Sequence, residues 1–223
     1  MKVSILTLFP EMFDGFINSS IIKRAIDKRI LDIEVINIRD FSTLNNKQVD
    51  DTPYGGGAGM VMRVDIVYDA IESVRTPESK VYLMTPSGKV FNQGIAKELS
   101  GAKHLILVCG HYEGIDERIT NFIDGEISIG DYILTGGELA SMIITDAVTR
   151  LVDGVITKES LDDESFNDNL LDYPTYTRPY EFKGLTVPDV LISGHHENIN
   201  KWRYEQRVKR TESRRPDILK DNK

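Results

Sequence analysis

Three glycine-rich loops hold the residues of this chain best suited to bind and react with a small molecule. They are YGGGAGM at 54–60, CGHYEGIDER at 109–118 and IGDYILTGGEL at 129–139. Glycine lets the backbone approach a ligand closely and take up positive φ, although each loop taken singly is better explained as a tight turn. None contains G-x-x-x-x-G-K-[ST], and no G-x-G-x-x-G opens a helix after the first strand. The second and third loops carry Glu113, Asp116, Glu117, Asp131 and Glu138, with Arg118 as their single fixed cation. Such loops repel a polyphosphate unless a metal intervenes. Their backbone groups suit an uncharged adenine edge, and a nearby carboxylate tolerates a cationic ligand. S-adenosylmethionine has both features and is compatible with these loops without being singled out by them.

Two charged segments follow. LDDESFNDNLLDYP (161–174) holds five acidic residues, and reads either as a solvated loop or as the carrier of a reactive carboxylate. KWRYEQRVKRTESRR (201–215) holds seven Lys/Arg with Trp202 and Tyr204 interleaved. It reads equally as a phosphate-contacting surface or as a solvated helix face. The net charge of −8 argues against a general nucleic-acid binder. His195 and His196 are adjacent, which does not make a metal site. The single cysteine, Cys109, permits neither an internal disulfide nor a zinc cluster, so the chain is expected to be cytoplasmic. No apolar run approaches the length of about 18 residues that a membrane span needs. The opening MKVSILTLFPEMF reads as a buried strand, not a signal peptide.

These residues need elements to position them. Apolar runs at 3–9, 31–38, 80–85 and 104–110 predict buried strands, and helical spacing predicts helices at 19–29, 64–74, 92–99 and 138–152. Alternating strands and helices imply an α/β fold, a parallel sheet with helices on both faces. Thr135 and Glu138 have the spacing of a capping box for the last helix. The expected organisation is a main domain at 1–156, a linker at 157–172 and a small helical C-terminal domain at 173–223.

PYGGGAGMVM, VCGHYEGIDERI, IGDYILTGGELASM, DYPTYTRP, GLTVPDVLISGHH and KWRYEQRVKRTESRRPDIL, in this order, resemble the bacterial tRNA (guanine-N1)-methyltransferase family, which acts at guanine 37 beside the anticodon. The resemblance runs essentially from residue 1 to the end. It implies a SPOUT-class α/β domain with a deep trefoil knot, a rare exception to the usual topology rules, together with a small C-terminal helical domain. It further implies a homodimer with shared active sites, tRNA as substrate, S-adenosylmethionine as methyl donor and a Mg²⁺ requirement for which no ligand residue is assigned. By similarity the donor site draws on Tyr82, Leu83, Thr85 and Pro86, and on Gly110, Tyr112, Glu113 and Gly114. The third loop adds Ile129, Gly130, Asp131, Tyr132, Ile133 and Leu134, with Gly136 and Gly137 behind them.

Methylating guanine N1 has a defined requirement. N1 carries a proton in the neutral base, so a general base must remove it while charge develops towards O6. Arg150 matches the family's charge-stabilising arginine. The family's base is an Asp immediately before Ser-Phe; here Glu164 stands before Ser165-Phe166, with Asp163 before it, so Glu164 is expected to act and Asp163 is the alternative. Ala58 and Ala140 stand where the family often has Pro, and His111 where some members have Arg. Asp172, Tyr176, Thr177, Arg178 and Pro179 are candidates for the tRNA surface, and Arg203, Arg207, Arg210, Arg214 and Arg215 for anticodon-loop phosphates. Two other functions stay open on the residues: a knotted methyltransferase acting on a ribose 2′-hydroxyl or another base, and a non-catalytic RNA-binding homologue.

Overall fold

The structure, a computed structural model, describes residues 1–157, 160–161, 164–166 and 168–219. The chain divides into two compact units, Met1–Ile156 and Thr157–Lys223. The first is built on a five-stranded parallel sheet of β1 (Lys2–Thr7), β2 (Asp32–Asn37), β3 (Ser79–Val90), β4 (His104–Cys109) and β5 (Gly125–Ser128). Its strand order is β2-β1-β4-β3-β5. The strand β5 escapes a reading by hydrophobicity because GEIS is short and half polar.

Side-chain alternation divides the apolar residues between two faces. Val3, Ile5, Leu105, Leu107 and Cys109 pack on one side against α1 (Ser20–Asp27), α3 (Gln93–Ser100) and α4 (Glu138–Thr149). Leu6, Val81, Leu83, Ile106 and Val108 pack on the other against α2 (Val64–Val74). With both faces covered, all six residues of β4 are buried, which is why it reads as one continuous apolar run. Within α4, Ala140, Ile144 and Val148 recur at helical spacing and enter the core.

The start of α4 departs from expectation. Its N-cap is Gly137, without a side-chain cap, so Thr135 and Glu138 form no capping box. Glu138 is instead buried at 2% exposure, and its Oε1 accepts from the Thr7 hydroxyl at 2.8 Å. A buried carboxylate holds an available donor on β1 in preference to the exposed turn.

A polar stitch crosses the amino-terminal end of the sheet. The Ser4 hydroxyl donates to Glu34 Oε1 (2.6 Å) and receives His104 Nε2–H (2.7 Å), leaving His104 Nδ1 to accept from Ser79 (2.8 Å). Burial, aided by Lys2 and opposed by Glu34 and Asp32, pushes the His104 pKa below its usual 6.5. The folded state therefore binds fewer protons than the unfolded chain, and this stabilisation is lost as pH falls through the unfolded value. Burial alone would raise the Glu34 carboxyl, but hydrogen bonds from Lys2 and Ser4 hold it below 4.5, so its contribution fails only at lower pH. Thermal melts between about pH 7.5 and about pH 5.5 should show the wild-type midpoint falling on acidification. His104→Gln should start lower and lose most of that slope.

Candidate functional site

A detour within β3 and the loops after β4 and β5 converge at the carboxyl side of the sheet, where open parallel sheets bind ligands, and enclose a cleft of about 460 Å³. In β3 the pairing with β5 shifts register between Met84 and Lys89, so Thr85–Gly88 swing out of the ladder. Gly88 permits this detour, because a Cβ there would lie 2.5 Å from the Glu126 carbonyl carbon.

The second loop turns directly off β4. Tyr112 (φ 58°) and Gly114 (φ 118°) both occupy the positive region, and Gly114 N–H donates to His111 O at 3.0 Å. Two backbone bonds tie it to the end of the first glycine loop: Glu113 N–H to Met60 O (3.0 Å) and Met62 N–H to Gly114 O (2.9 Å). The third loop returns over the second. Gly137 N–H donates to Gly110 O at 2.9 Å, and a Cβ on Gly137 would sit 2.8 Å from the Cys109 Cα. That approach of backbone to backbone explains why glycine occupies the start of α4.

Leu83, Thr85 and Pro86 line the cleft, as do Gly110, Tyr112, Glu113 and Gly114. From the third loop Ile129, Gly130, Tyr132, Ile133, Leu134, Gly136 and Gly137 do so. Tyr82 and Asp131 are not among the residues that line the cleft. The Tyr82 side chain packs against the core beside Gly125, where burial raises its pKa. Asp131 is exposed to solvent. Sequence reasoning missed Ser87, Glu126 and Ser128, which line the cleft together with His111 and Glu117 of the second loop. The Ser87 hydroxyl donates to Glu126 Oε1 at 3.2 Å, joining the β3 detour to the unrecognised strand β5.

Glu113, Glu117 and Glu126 face the cleft, and among the described residues no lysine or arginine lines it. Arg118 is held by Asp116 through bonds of 2.9 and 2.6 Å, and its guanidinium keeps the Asp116 carboxyl below its usual range. The cleft is thus acidic, open to a cation and hostile to phosphate. Cys109, behind it, is no nucleophile: burial pushes its thiol far up, and it contacts Ser141 Oγ at 3.1 Å. Among the described residues no group of three or more His, Cys, Asp or Glu is arranged to hold a metal ion. Arg150 forms the C-cap of α4 in the first unit.

The second unit carries Glu164, which is partly buried. Asp163 lies outside the described residues. Its main element is α5 (His196–Arg214). Asp172, Tyr176, Thr177, Arg178, Pro179 and Arg214 are exposed, and Tyr176 lies beside Trp202 with ring centroids 6.4 Å apart. Arg203, Arg207 and Arg210 are only partly exposed, and Arg215 is paired with Asp217 at 2.7 Å. Arg207 departs furthest from the expectation of a phosphate contact. Its side chain is 11% exposed, and its guanidinium binds both Asp168 carboxylate oxygens and Leu171 O.

Residues 1–221 match the family described as tRNA (Guanine-1)-methyltransferase TrmD. A protein of Mycoplasma capricolum subsp. capricolum is 57% identical over 220 residues, covering 98% of this chain and 92% of the relative. One of Malacoplasma penetrans is 55% identical over 226 residues, covering 100% of both. One of Carboxydothermus hydrogenoformans is 57% identical over 222 residues, covering 99% of this chain and 88% of the relative. All three are named tRNA (guanine-N(1)-)-methyltransferase.

Proposed function

The chain belongs to the tRNA (guanine-1)-methyltransferase family, and on that premise we propose that it transfers the methyl group of S-adenosylmethionine to N1 of guanine 37 in tRNA. The observation that carries this reading is the cleft at the strand ends, lined by glycine backbone and three glutamates and, among the described residues, by no lysine or arginine. Its backbone groups suit an adenine edge, and its carboxylates suit a sulfonium cation. When bound, the donor supplies an electrophilic methyl group whose transfer leaves a neutral thioether.

The side chains of this protein prepare the other reactant. Glu164 accepts the N1 proton as the N1 lone pair forms its bond to the methyl carbon. Arg150 stabilises the negative charge that develops on O6. The target base has to leave its stack to reach the methyl group, and the exposure of Arg178 and Arg214 is consistent with contacts to phosphates. The loop from 129 to 137, bonded back onto Gly110, supports a knotted donor site of the SPOUT type. The functional division is that domain at 1–156, the linker at 157–172 and a helical tRNA-binding domain at 173–223.

A homodimer with shared sites fits the exposed apolar side chains of Met12, Leu139 and Ile143, which a second copy would cover. No helix among the described residues is long and apolar enough to cross a membrane. Mg²⁺ is compatible with the acidic cleft, but no donor set is assigned to it.

A transcript pair decides the substrate position. The wild type should methylate a tRNA transcript with guanine at position 37 and leave its adenine-37 counterpart unmodified. Methyl incorporation into the adenine transcript would point to a ribose hydroxyl or a different base. No incorporation into either would favour an RNA-binding homologue without catalysis.

A further inference from the structure

The arginines of α5 that carried the expectation of RNA contact recur with a period of four. Arg203, Arg207, Thr211 and Arg215 stand at i, i+4, i+8 and i+12, and so share one face of the helix and its C-cap. That face is already occupied by Phe166 and residues 168–173, which follow it in the opposite direction. The Arg203 guanidinium sits 4.7 Å from the centre of the Tyr173 ring. Arg207 donates from Nε to Leu171 O (3.2 Å) and from Nη1 to Asp168 Oδ2 (3.1 Å), with a second bond from Nη2 to Asp168 Oδ1. Thr211, fully buried, accepts from Leu171 N–H at 2.9 Å and donates to Arg207 O at 2.7 Å. The Arg215 guanidinium lies 5.7 Å from the Phe166 ring.

The segment also braces itself. Phe166 N–H donates to Leu170 O (2.8 Å), Asp172 N–H donates to Ser165 Oγ (3.0 Å), and Leu170 is buried at 9% exposure. Glu164 stands two residues before Phe166. A solvated linker would carry none of these bonds, and an arginine kept for phosphate would not be 11% exposed with both oxygens of a carboxylate on its fork.

We propose that this stripe is an intramolecular cradle, and that Arg207 is a positioning residue which fixes the Glu164-bearing segment for proton abstraction and makes no contact with RNA. The inference rests on the reading of Glu164 as the base. Holding a catalytic group in place converts chain entropy into rate, and a misplacement of about 1 Å can cost on the order of a hundredfold. A bidentate Arg–carboxylate pair adds geometric specificity that a lysine lacks.

The test compares Arg207→Gln, Asp168→Asn and Arg214→Gln, using S-adenosylmethionine and a guanine-37 transcript. Asp168 is 56% exposed and lies off the helix, so its substitution breaks the charge pair without touching α5. Arg207→Gln and Asp168→Asn should each slow single-turnover transfer by on the order of tenfold or more, with the KM for tRNA unchanged. Amide exchange at Phe166 and Leu171 should speed up in both. The salt slope of tRNA binding should stay at its wild-type value in both, and fall by about one in Arg214→Gln. Placing Arg207→Gln on a Glu164→Gln background should cost nothing further, because the arginine acts through that carboxylate.

A reduced salt slope for Arg207→Gln with Asp168→Asn unaffected would overturn the proposal in favour of a phosphate contact. Unchanged amide exchange in both variants would overturn it irrespective of activity, as would a loss that multiplies with that of Glu164→Gln. If Glu164→Gln alone transfers at the wild-type rate, the assignment of the base fails instead, and the exchange data still decide whether the cradle exists.

Discussion

Glu164→Gln should slow single-turnover methyl transfer to a guanine-37 transcript by about two to four orders of magnitude, the usual worth of a positioned general base. Gln keeps the length and shape of the side chain and its capacity for hydrogen bonds, but it cannot take the N1 proton. Affinity for tRNA and for the methyl donor should both survive, because the loss lies in the proton transfer. Glu164→Asp, which keeps the carboxylate, should retain most of the rate if the segment absorbs the loss of one methylene. A wild-type rate in Glu164→Gln, together with a collapse in Asp163→Asn, would move the base to the neighbouring carboxylate.

Gly137→Ala should weaken donor binding and lower the melting temperature together. The added Cβ would stand 2.8 Å from the Cys109 Cα, 3.0 Å from the Met84 Cβ and 3.1 Å from the Gly110 nitrogen. Two of these three are backbone atoms, which no rotamer change can move aside. Relief requires the start of α4 to back away from the end of β4, which lengthens the Gly137-to-Gly110 bond now at 2.9 Å. Overpacking of this kind costs about 1–3 kcal/mol, and the same displacement opens the floor of the cleft. Calorimetric titration with S-adenosylhomocysteine should show at least about a tenfold loss of affinity, matching a loss of about 1.4 kcal/mol. Gly114→Ala is a useful contrast. No heavy atom lies within 4 Å of its added Cβ, although φ is 118°, so any penalty there comes from backbone strain alone.

These two sites differ in how far the sequence disclosed them. Glycine spacing and acidic flanks marked the second and third loops as a site, because positive φ and close approach leave a compositional trace at Gly114, Gly130 and Gly137. Glu126 and Ser128 left none, since they sit in β5, a strand too short and polar to recognise. The detour at Thr85–Gly88 was also hidden, because it follows a register shift set by pairing with that same strand. The Tyr82 side chain packs against the core, while its neighbours Leu83 and Met84 line the cleft. Thr135 and Glu138 had the right spacing for a capping box, yet burial gave Glu138 a better donor in Thr7.

The basic tail teaches the opposite lesson about charge. Counting seven Lys/Arg in 201–215 says how much positive charge the segment holds, but not where it points. The direction depends on what lies against the helix, and Asp168, Leu171, Phe166 and Tyr173 come from the acidic stretch 30 to 50 residues earlier. The period of four through Arg203, Arg207, Thr211 and Arg215 was present in the sequence. Without its partner segment it could not be told from an amphipathic face in water.

The central claim is that this chain places a methyl group on N1 of guanine 37, and the most direct measurement is the identity and position of the modified nucleoside. Wild-type protein, S-adenosylmethionine and an unmodified transcript should yield N1-methylguanosine on complete digestion. Reverse transcription should stop beside position 37, because the methyl group blocks the pairing edge. A 2′-O-methylated nucleoside, a stop elsewhere, or a transcript returned without any methyl group would contradict the account.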